Sequence, residues 1–407
     1  MQTSLADFIR DTPEGVEADA ILRKCVHCGF CTATCPTYQV LGDDLDSPRG
    51  RIYLIKRALE GAEVTARTRL HLDRCLTCRS CETTCPSGVQ YGRLVDIGRA
   101  VVEERTLRRP WDRLRRAAMS FLLPRTGLFA AALSLGRLFR PFLPRALKAK
   151  IPVETQAAGP WPAPRHGRKM LVLGGCVQPT LAPGINAAAA RVLDRLGVSL
   201  LEAPGAGCCG GIRFHLNRQE AGRDDMRAVI DAWWPMVESG GIEALVVTAS
   251  GCGVTVKEYG HLLAQDPEYR EKAARISALT RDLCEVIPVE AIPQRTAVAR
   301  VAFQSPCTLQ HGQQIHGRIE ALLTRAGYEL TAVRDAHLCC GSAGTYSILQ
   351  PVLSQQLKVN KLEALEASQP DLIATANIGC LSHLASGTQR PVRHWVEIFD
   401  ARLRNRT

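Results

Sequence analysis

Apolar side chains recur at helical spacing through the N-terminal part of the chain. Pro48-Arg-Gly-Arg-Ile-Tyr-Leu-Ile-Lys-Arg-Ala-Leu59 predicts a helix that stops before Gly61, and Val89 to Leu107 behaves alike. Further on, the period changes. Met170-Leu-Val-Leu-Gly is strand-like, Asn186 to Leu196 is helical, and Val198-Ser-Leu-Leu is strand-like again, with Gly-rich loops at the strand ends. Such alternation predicts α/β units, so the expected fold class is α plus α/β. Between the two regimes, the Pro-rich connector from Ile151-Pro-Val to Pro160-Trp-Pro-Ala-Pro164 cannot easily continue a helix or a sheet. The expected organisation is a helical unit over 1–110, a basic Pro-rich linker over 111–168, and α/β units over 169–295 and 296–407.

Two internal repeats explain this division. The run Cys-x2-Cys-x2-Cys-x3-Cys-Pro occurs at Cys25, Cys28, Cys31, Cys35-Pro36 and again at Cys75, Cys78, Cys81, Cys85-Pro86, every member displaced by 50 residues. Three thiolates of such a run lie close together on one loop and the fourth serves the neighbouring cluster, so its duplication is what a helical two-cluster ferredoxin needs. By this crossed logic Cys25, Cys28, Cys31 and Cys85 hold one [4Fe–4S] cluster, and Cys75, Cys78, Cys81 and Cys35 hold the other. Sharing ligands places the two clusters near each other, as a relay requires. Structural zinc is the competing use of four thiolates. Four cysteines within eleven residues, closed by Cys-Pro twice, argue against it. His27 falls inside the first run, where it packs over a cluster or tunes it; the ligand set is complete without it.

The second repeat pairs Cys176, Cys208 and Cys209 with Cys307, Cys339 and Cys340 at a displacement of 131, and Cys252 with Cys380 at 128. The loops Ala206-Gly-Cys208-Cys209-Gly210-Gly211 and Leu338-Cys339-Cys340-Gly341-Ser342 set adjacent thiols in flexible turns. Neighbouring cysteines are ill suited to a mutual disulfide but can both reach one multinuclear site. A further iron–sulfur cluster, zinc, and buried free thiols all remain open for these eight residues. His337 and His383 are close enough in sequence to join or shield such a site, and Cys284, without a repeat partner, is assigned to the core.

Composition narrows the reading. A chain of 407 residues, 46% hydrophobic, can bury a core in each of two or three domains. Seventeen cysteines at metal-binding spacings suit a reducing compartment, so a soluble, cytoplasmic protein is expected. Residues 105–150 hold twelve Lys and Arg against one acid, Asp112, which accounts for the whole net charge of +11. Localised in this way, the charge does not indicate nucleic acid. The run Ala117 to Leu123 ends at Pro124-Arg125, too short to span a bilayer. Phe121, Leu122, Leu123, Leu128, Phe129, Leu138, Phe139 and Phe142 are interspersed with arginines, as in an interfacial segment on anionic lipid, although Pro124, Pro141 and Pro144 limit helix length. A linker packing on the α/β unit, with a solvated charged face, is the plainer reading of the same stretch.

Longer phrases carry a family resemblance. Cys25-Val-His-Cys-Gly-Phe-Cys-Thr-Ala-Thr-Cys-Pro36, Asp46-Ser-Pro-Arg-Gly-Arg-Ile-Tyr-Leu-Ile-Lys56, Asp73-Arg-Cys-Leu-Thr-Cys-Arg-Ser-Cys-Glu-Thr-Thr-Cys-Pro86, Thr248-Ala-Ser-Gly-Cys-Gly253 and His337-Leu-Cys-Cys-Gly-Ser-Ala-Gly-Thr-Tyr346 closely resemble the iron–sulfur subunits of bacterial glycolate oxidase, over essentially the whole chain. The resemblance implies FAD-bearing partner subunits that oxidise glycolate to glyoxylate, while this chain carries electrons singly toward a membrane acceptor, quinone, from the inner face of the cell membrane. No catalytic residue is expected here, and no dinucleotide fingerprint or nucleophile–base set appears. The iron–sulfur subunit of anaerobic glycerol-3-phosphate dehydrogenase shares the architecture and is the alternative. A heterodisulfide-reductase-like thiol chemistry of the repeats is another, and a structural scaffold a third. Related heterodisulfide reductase domains end in Cys-x2-Cys, whereas this chain has Ala249-Ser-Gly-Cys252 and Asn377-Ile-Gly-Cys380, one thiol fewer in each repeat.

Overall fold

A computed structural model describes residues 1–142, 151 and 157–404. The first unit is helical: α1 (Pro13–Lys24), α2 (Pro36–Leu41), α3 (Pro48–Leu59), α4 (Ala66–Asp73), α5 (Ser80–Thr83) and α6 (Tyr91–Arg105). Local chemistry sets the ends of α3. Ser47 caps its first turn by accepting from the Gly50 N–H at 3.1 Å, and Pro48 sits at the first helical position, where its missing N–H costs nothing. Helices α1, α3 and α6 bury Ile21, Leu22, Ile55, Leu59, Leu94 and Val95 in one core. Each fully buried side chain of this kind contributes about 1.5–3 kcal/mol. Gly98 allows the closest approach, since a Cβ there would meet Ile55 at 2.5 Å.

The second half contains two parallel four-stranded sheets. Strands β1 (Arg168–Val172), β2 (Val198–Glu202), β3 (Ala244–Val247) and β4 (Thr280–Asp282) are ordered β2-β1-β3-β4; β5 (Ala299–Gln304), β6 (Tyr328–Leu330), β7 (Leu372–Thr375) and β8 (Val392–His394) repeat that order as β6-β5-β7-β8. The predicted α plus α/β class is therefore the observed one. The order in which strands are added reverses between β1 and β3, and again between β5 and β7, so each parallel sheet has a topological switch point at the C-terminal ends of its strands, where α/β folds bind ligands. All eight repeat cysteines follow strand ends there.

The described part of the stretch expected as a linker is helical. It forms α7 (Pro110–Leu122) and α8 (Thr126–Leu138), which meet at a 113° bend beside Pro124. Helix α7 is a strut rather than a tether. Arg116 faces Asp73 of the first unit at 3.4 Å, Arg115 donates to the Ile348 carbonyl at 2.7 Å, and Arg213 donates to the Ser120 carbonyl at 3.1 Å. No single helix among the described residues is long and apolar enough to cross a membrane. Pro144, Lys148, Lys150 and much of the Pro-rich connector lie outside the described residues.

Candidate iron–sulfur relay

The two ferredoxin runs fold alike at the backbone. In each, the residue before the second cysteine and the residue after it take left-handed conformations: His27 and Gly29 at φ 57° and 86°, Thr77 and Arg79 at 53° and 60°. Three of these four carry side chains, a strained choice that persists only where the surroundings enforce it. Curled in this way, the loops face two cavities. One, of about 430 Å³ and partly open, is lined by Cys25, Cys28, Cys31 and Cys85. The other, of about 300 Å³, is lined by Cys35, Cys75 and Cys78. Cys81 and Tyr91 border both. Each cavity thus draws cysteines from both runs.

The surroundings differ. At the first cavity Cys28, Val26 and Phe30 are exposed, and burial pushes the Cys31 thiol up to about 11. The second is lined by more deeply buried thiols and is cationic. Arg51, 1% exposed, donates to the Thr37 hydroxyl at 3.1 Å and approaches Cys35 Sγ at 4.0 Å. Arg99 donates to the Leu72 and Cys75 carbonyls at 2.9 and 2.7 Å. Burial opposes ionisation of Cys75, yet Arg51 and Arg99 outweigh it and lower its pKa. The Tyr91 hydroxyl and Thr77 N–H donate to Cys75 Sγ at 3.6 and 3.4 Å. Two buried guanidiniums around four thiols fit an anionic cofactor, since a cluster with four thiolates carries about −2.

The repeats also gather their thiols. Cys176 contacts Cys208, which contacts Cys209, which contacts Cys252; Cys307 lies 3.8 Å from Cys339, which contacts Cys340, which contacts Cys380. Hydrogen bonding to Cys208 and then burial push Cys176 well up, and Cys339 and burial do the same to Cys307. Gly210 and Gly341, at φ 85° and 84°, make the turns possible; a Cβ would meet the Gly222 carbonyl oxygen in one and that of Ser354, at 2.7 Å, in the other. Asn377, standing where the heterodisulfide reductase pattern has its extra cysteine, donates to Cys380 Sγ at 3.6 Å. Four thiols at each switch point suit a metal or cluster.

The histidines do other work. His27 lines the first cavity, while the buried His383 ring meets the Ser354 hydroxyl at 3.3 Å. The His337 carbonyl lies 2.9 Å from His311 Nε2, whose Nδ1 in turn meets the Thr83 hydroxyl at 3.0 Å. Cys284 is fully buried in the shared core of the two sheets. Sequence reasoning missed Arg51, Arg99, Asn377, His311 and Lys361. Arg51 falls inside the Asp46-to-Lys56 phrase and Asn377 opens the Asn377-Ile-Gly-Cys380 phrase, so both could have been found there; the others carry no local signal.

Helical two-run ferredoxin and duplicated Cys-Cys-Gly sheets together define an iron–sulfur electron-transfer protein. Comparisons with known proteins agree. The 4Fe-4S dicluster domain family matches residues 21–89, and the cysteine-rich domain family matches residues 170–257 and 301–385. The chain is 54% identical to the glycolate oxidase iron-sulfur subunit of Escherichia coli (strain K12), covering 99% of both proteins. It is 31% identical to the probable glycolate oxidase iron-sulfur subunit of Bacillus subtilis (strain 168), over 91% of this chain and 89% of that protein. Lactate utilization protein A of Geobacillus thermodenitrificans (strain NG80-2) is 29% identical over 56% of this chain and 96% of its own length. The chain belongs to the family of glycolate oxidase iron–sulfur subunits.

Proposed function

We propose that this chain takes electrons one at a time from FAD-bearing partner subunits that oxidise glycolate to glyoxylate, and passes them toward a membrane quinone. The observation that carries this reading is the pair of adjacent cavities, each lined by cysteines from both runs. Cys25, Cys28, Cys31 and Cys85 would hold the first [4Fe–4S] cluster, and Cys35, Cys75, Cys78 and Cys81 the second. Bound there, the clusters supply one-electron chemistry, which is what divides the electron pair of a flavin. Exposed Val26 and Phe30 beside the first cavity offer a partner an apolar contact close to Cys28. Around the second, Arg51 and Arg99 offset negative charge.

The face toward the bilayer is assigned to α7 and α8. Trp111, Leu114, Ala118 and Phe121 line the exposed side of α7; Leu128, Ala131, Ala132, Leu135 and Leu138 line that of α8, continued by Phe139 and Phe142. Both helices turn apolar stripes outward, the reverse of a water-facing helix. The basic balance of 105–150 selects an anionic lipid surface over a neutral one. The protein would then lie on the cytoplasmic face of the membrane.

The test is anaerobic reconstitution with the flavin subunits. Adding glycolate should reduce the clusters, producing their low-temperature EPR signals, and Cys28→Ser should abolish the first. Clusters that stay oxidised with glycolate while dithionite reduces them would overturn the glycolate assignment.

A further inference from the structure

The two Cys-Cys-Gly sites share a backbone and differ in their surroundings. In the first, Cys209 packs in an apolar core with Val229 and Ile230, both buried, and the ionisable neighbour is the phenol of Tyr259, which donates to the Cys209 carbonyl at 3.0 Å. In the second, the displacement of 131 puts Lys361 where the first has Ile230. Lys361 is only 3% exposed, and its Nζ donates to the Asp335 and Ala336 carbonyls at 3.1 and 3.0 Å. Burial pulls its pKa down, opposed by Cys340, Cys339, Cys307 and Cys380, all four thiols of that site. Lysine is almost never buried without an anionic partner. No carboxylate is paired with Lys361 among the described residues; its ammonium is held on the two carbonyls that lead into the Leu338-Cys339-Cys340 loop.

A second asymmetry concerns the ferredoxin unit. Cys78 joins Cys307, Cys339, Leu76 and Tyr346 in one apolar cluster, and the Tyr346 hydroxyl donates to the Arg74 carbonyl at 3.1 Å. After burial, Cys307 is the largest influence raising the Cys78 thiol. Cys176 and Cys208, the counterparts of Cys307 and Cys339 in the first repeat, join neither of the apolar clusters that contain residues of the first unit. Cys78, which lines the second ferredoxin cavity, therefore packs with thiols of the second repeat, the one with the buried cation.

We propose that the relay continues into an iron–sulfur cluster on Cys307, Cys339, Cys340 and Cys380, that Lys361 sets its potential, and that the first repeat stands outside the relay. The inference rests on the ferredoxin unit being the relay described above. One electron leaves the Cys35, Cys75, Cys78 and Cys81 site and the same electron arrives at the second repeat; no proton or atom is transferred. A buried ammonium favours the more negative, reduced state of an anionic cluster, so Lys361 acts by raising the potential.

The experiment uses the full chain purified without oxygen, with iron analysis and EPR-monitored redox titration. Wild type should hold about twelve irons. Cys339→Ser with Cys340→Ser should lose about four and one EPR signal, whereas Cys208→Ser with Cys209→Ser should lose none. Lys361→Met should keep all its iron yet lower that signal's midpoint potential by about tenfold in the equilibrium, ~59 mV for one electron, and Lys361→Arg should restore most of it. Iron lost only from the Cys208/Cys209 variant, sixteen irons in wild type, or equal potentials in Lys361→Met and wild type would each overturn the proposal. Eight irons with both ferredoxin signals intact would sink this inference and leave the relay standing; fewer than eight would sink the relay itself.

Discussion

Arg51 shows how a single side chain serves both fold and cofactor. Its guanidinium donates to the His71 carbonyl at 2.7 Å, pairs with the fully buried Asp46 at 3.3 Å, and reaches toward Cys35. Replacing it by Met leaves Asp46 with Arg74 as a remaining cationic partner. Breaking one partner of a buried pair costs about 3–5 kcal/mol, so Arg51→Met should lower the anaerobic denaturation midpoint substantially and shift the second cluster's potential downward. Arg51→Lys should recover little, because one ammonium cannot reproduce the planar fork. His394 offers a pH test. It is fully buried between the sheets, with Nε2 3.0 Å from the Thr248 carbonyl, and burial lowers its pKa to about 4. Below pH 6.5 the unfolded chain binds a proton that the folded chain refuses, so stability is lost as pH falls from about 6.5 to about 4, by roughly 3 kcal/mol in all. His394→Gln should flatten that slope relative to wild type in denaturant titrations at pH 7 and pH 4.5. Equal slopes would show that His394 accepts the proton in the folded state.

Elements matter most where they reverse the usual arrangement. Helix α8 keeps Leu133 inward yet turns Leu135 and Leu138 to solvent, Leu138 at 72% exposure. An apolar stripe of this kind costs free energy in water unless it is covered. Leu135→Ser with Leu138→Ser should therefore leave iron content unchanged while weakening sedimentation with vesicles of anionic lipid at least tenfold, and Arg109→Glu with Arg113→Glu should act in the same direction. Undiminished vesicle binding by both variants, with loss of flavin-subunit capture instead, would assign the stripe to a protein partner. The strut α7 couples this surface to the rest of the molecule through Arg115 and Asp73, so a change of surface contact need not pass through a loose linker.

At the scale of the whole molecule, the proposed relay requires that the ferredoxin unit be held against the repeats. Arg79 reaches across to Glu258 with two hydrogen bonds, 2.5 and 3.0 Å, and both side chains are largely buried. Asn217 donates to Glu103 at 3.1 Å and Gln219 to the Asp96 carbonyl at 3.0 Å along the same seam. Glu258→Ala leaves the Arg79 charge buried without its partner, at a cost of about 3–5 kcal/mol. Expected outcomes are faster proteolysis between the units and slower reoxidation by an external acceptor, with the EPR spectra of the ferredoxin clusters intact. Unchanged proteolysis would mean that α7 and the Tyr346 contact suffice to hold the seam.

The chain's local patterns determined a good deal. Helical spacing with a Ser-Pro cap gives α3 over Pro48–Leu59, as predicted, because capping and periodicity act within a few residues. Short apolar runs gave β1 and β2 for the same reason, and the spacing of the cysteines identified those that line the cavities and switch points, since loop ligands are close in sequence. Other features needed the folded chain. Arg99 meets the Cys75 carbonyl from 24 residues away, Lys361 meets the Asp335 and Ala336 carbonyls from a different element, and Cys78 packs with Cys307 across two domains. Nothing in the helix Pro351–Glu366 distinguishes a buried lysine from a solvated one. Residues 111–142, the described start of the expected 111–168 linker, form a strut and an exposed apolar helix because packing against Asp73, Ile348 and Gly175 decided which sides faced inward. Sequence sets what each segment prefers and which ligands lie on one loop; the charge around a site and the route between sites arise from distant segments brought together, and only the tertiary structure decides them.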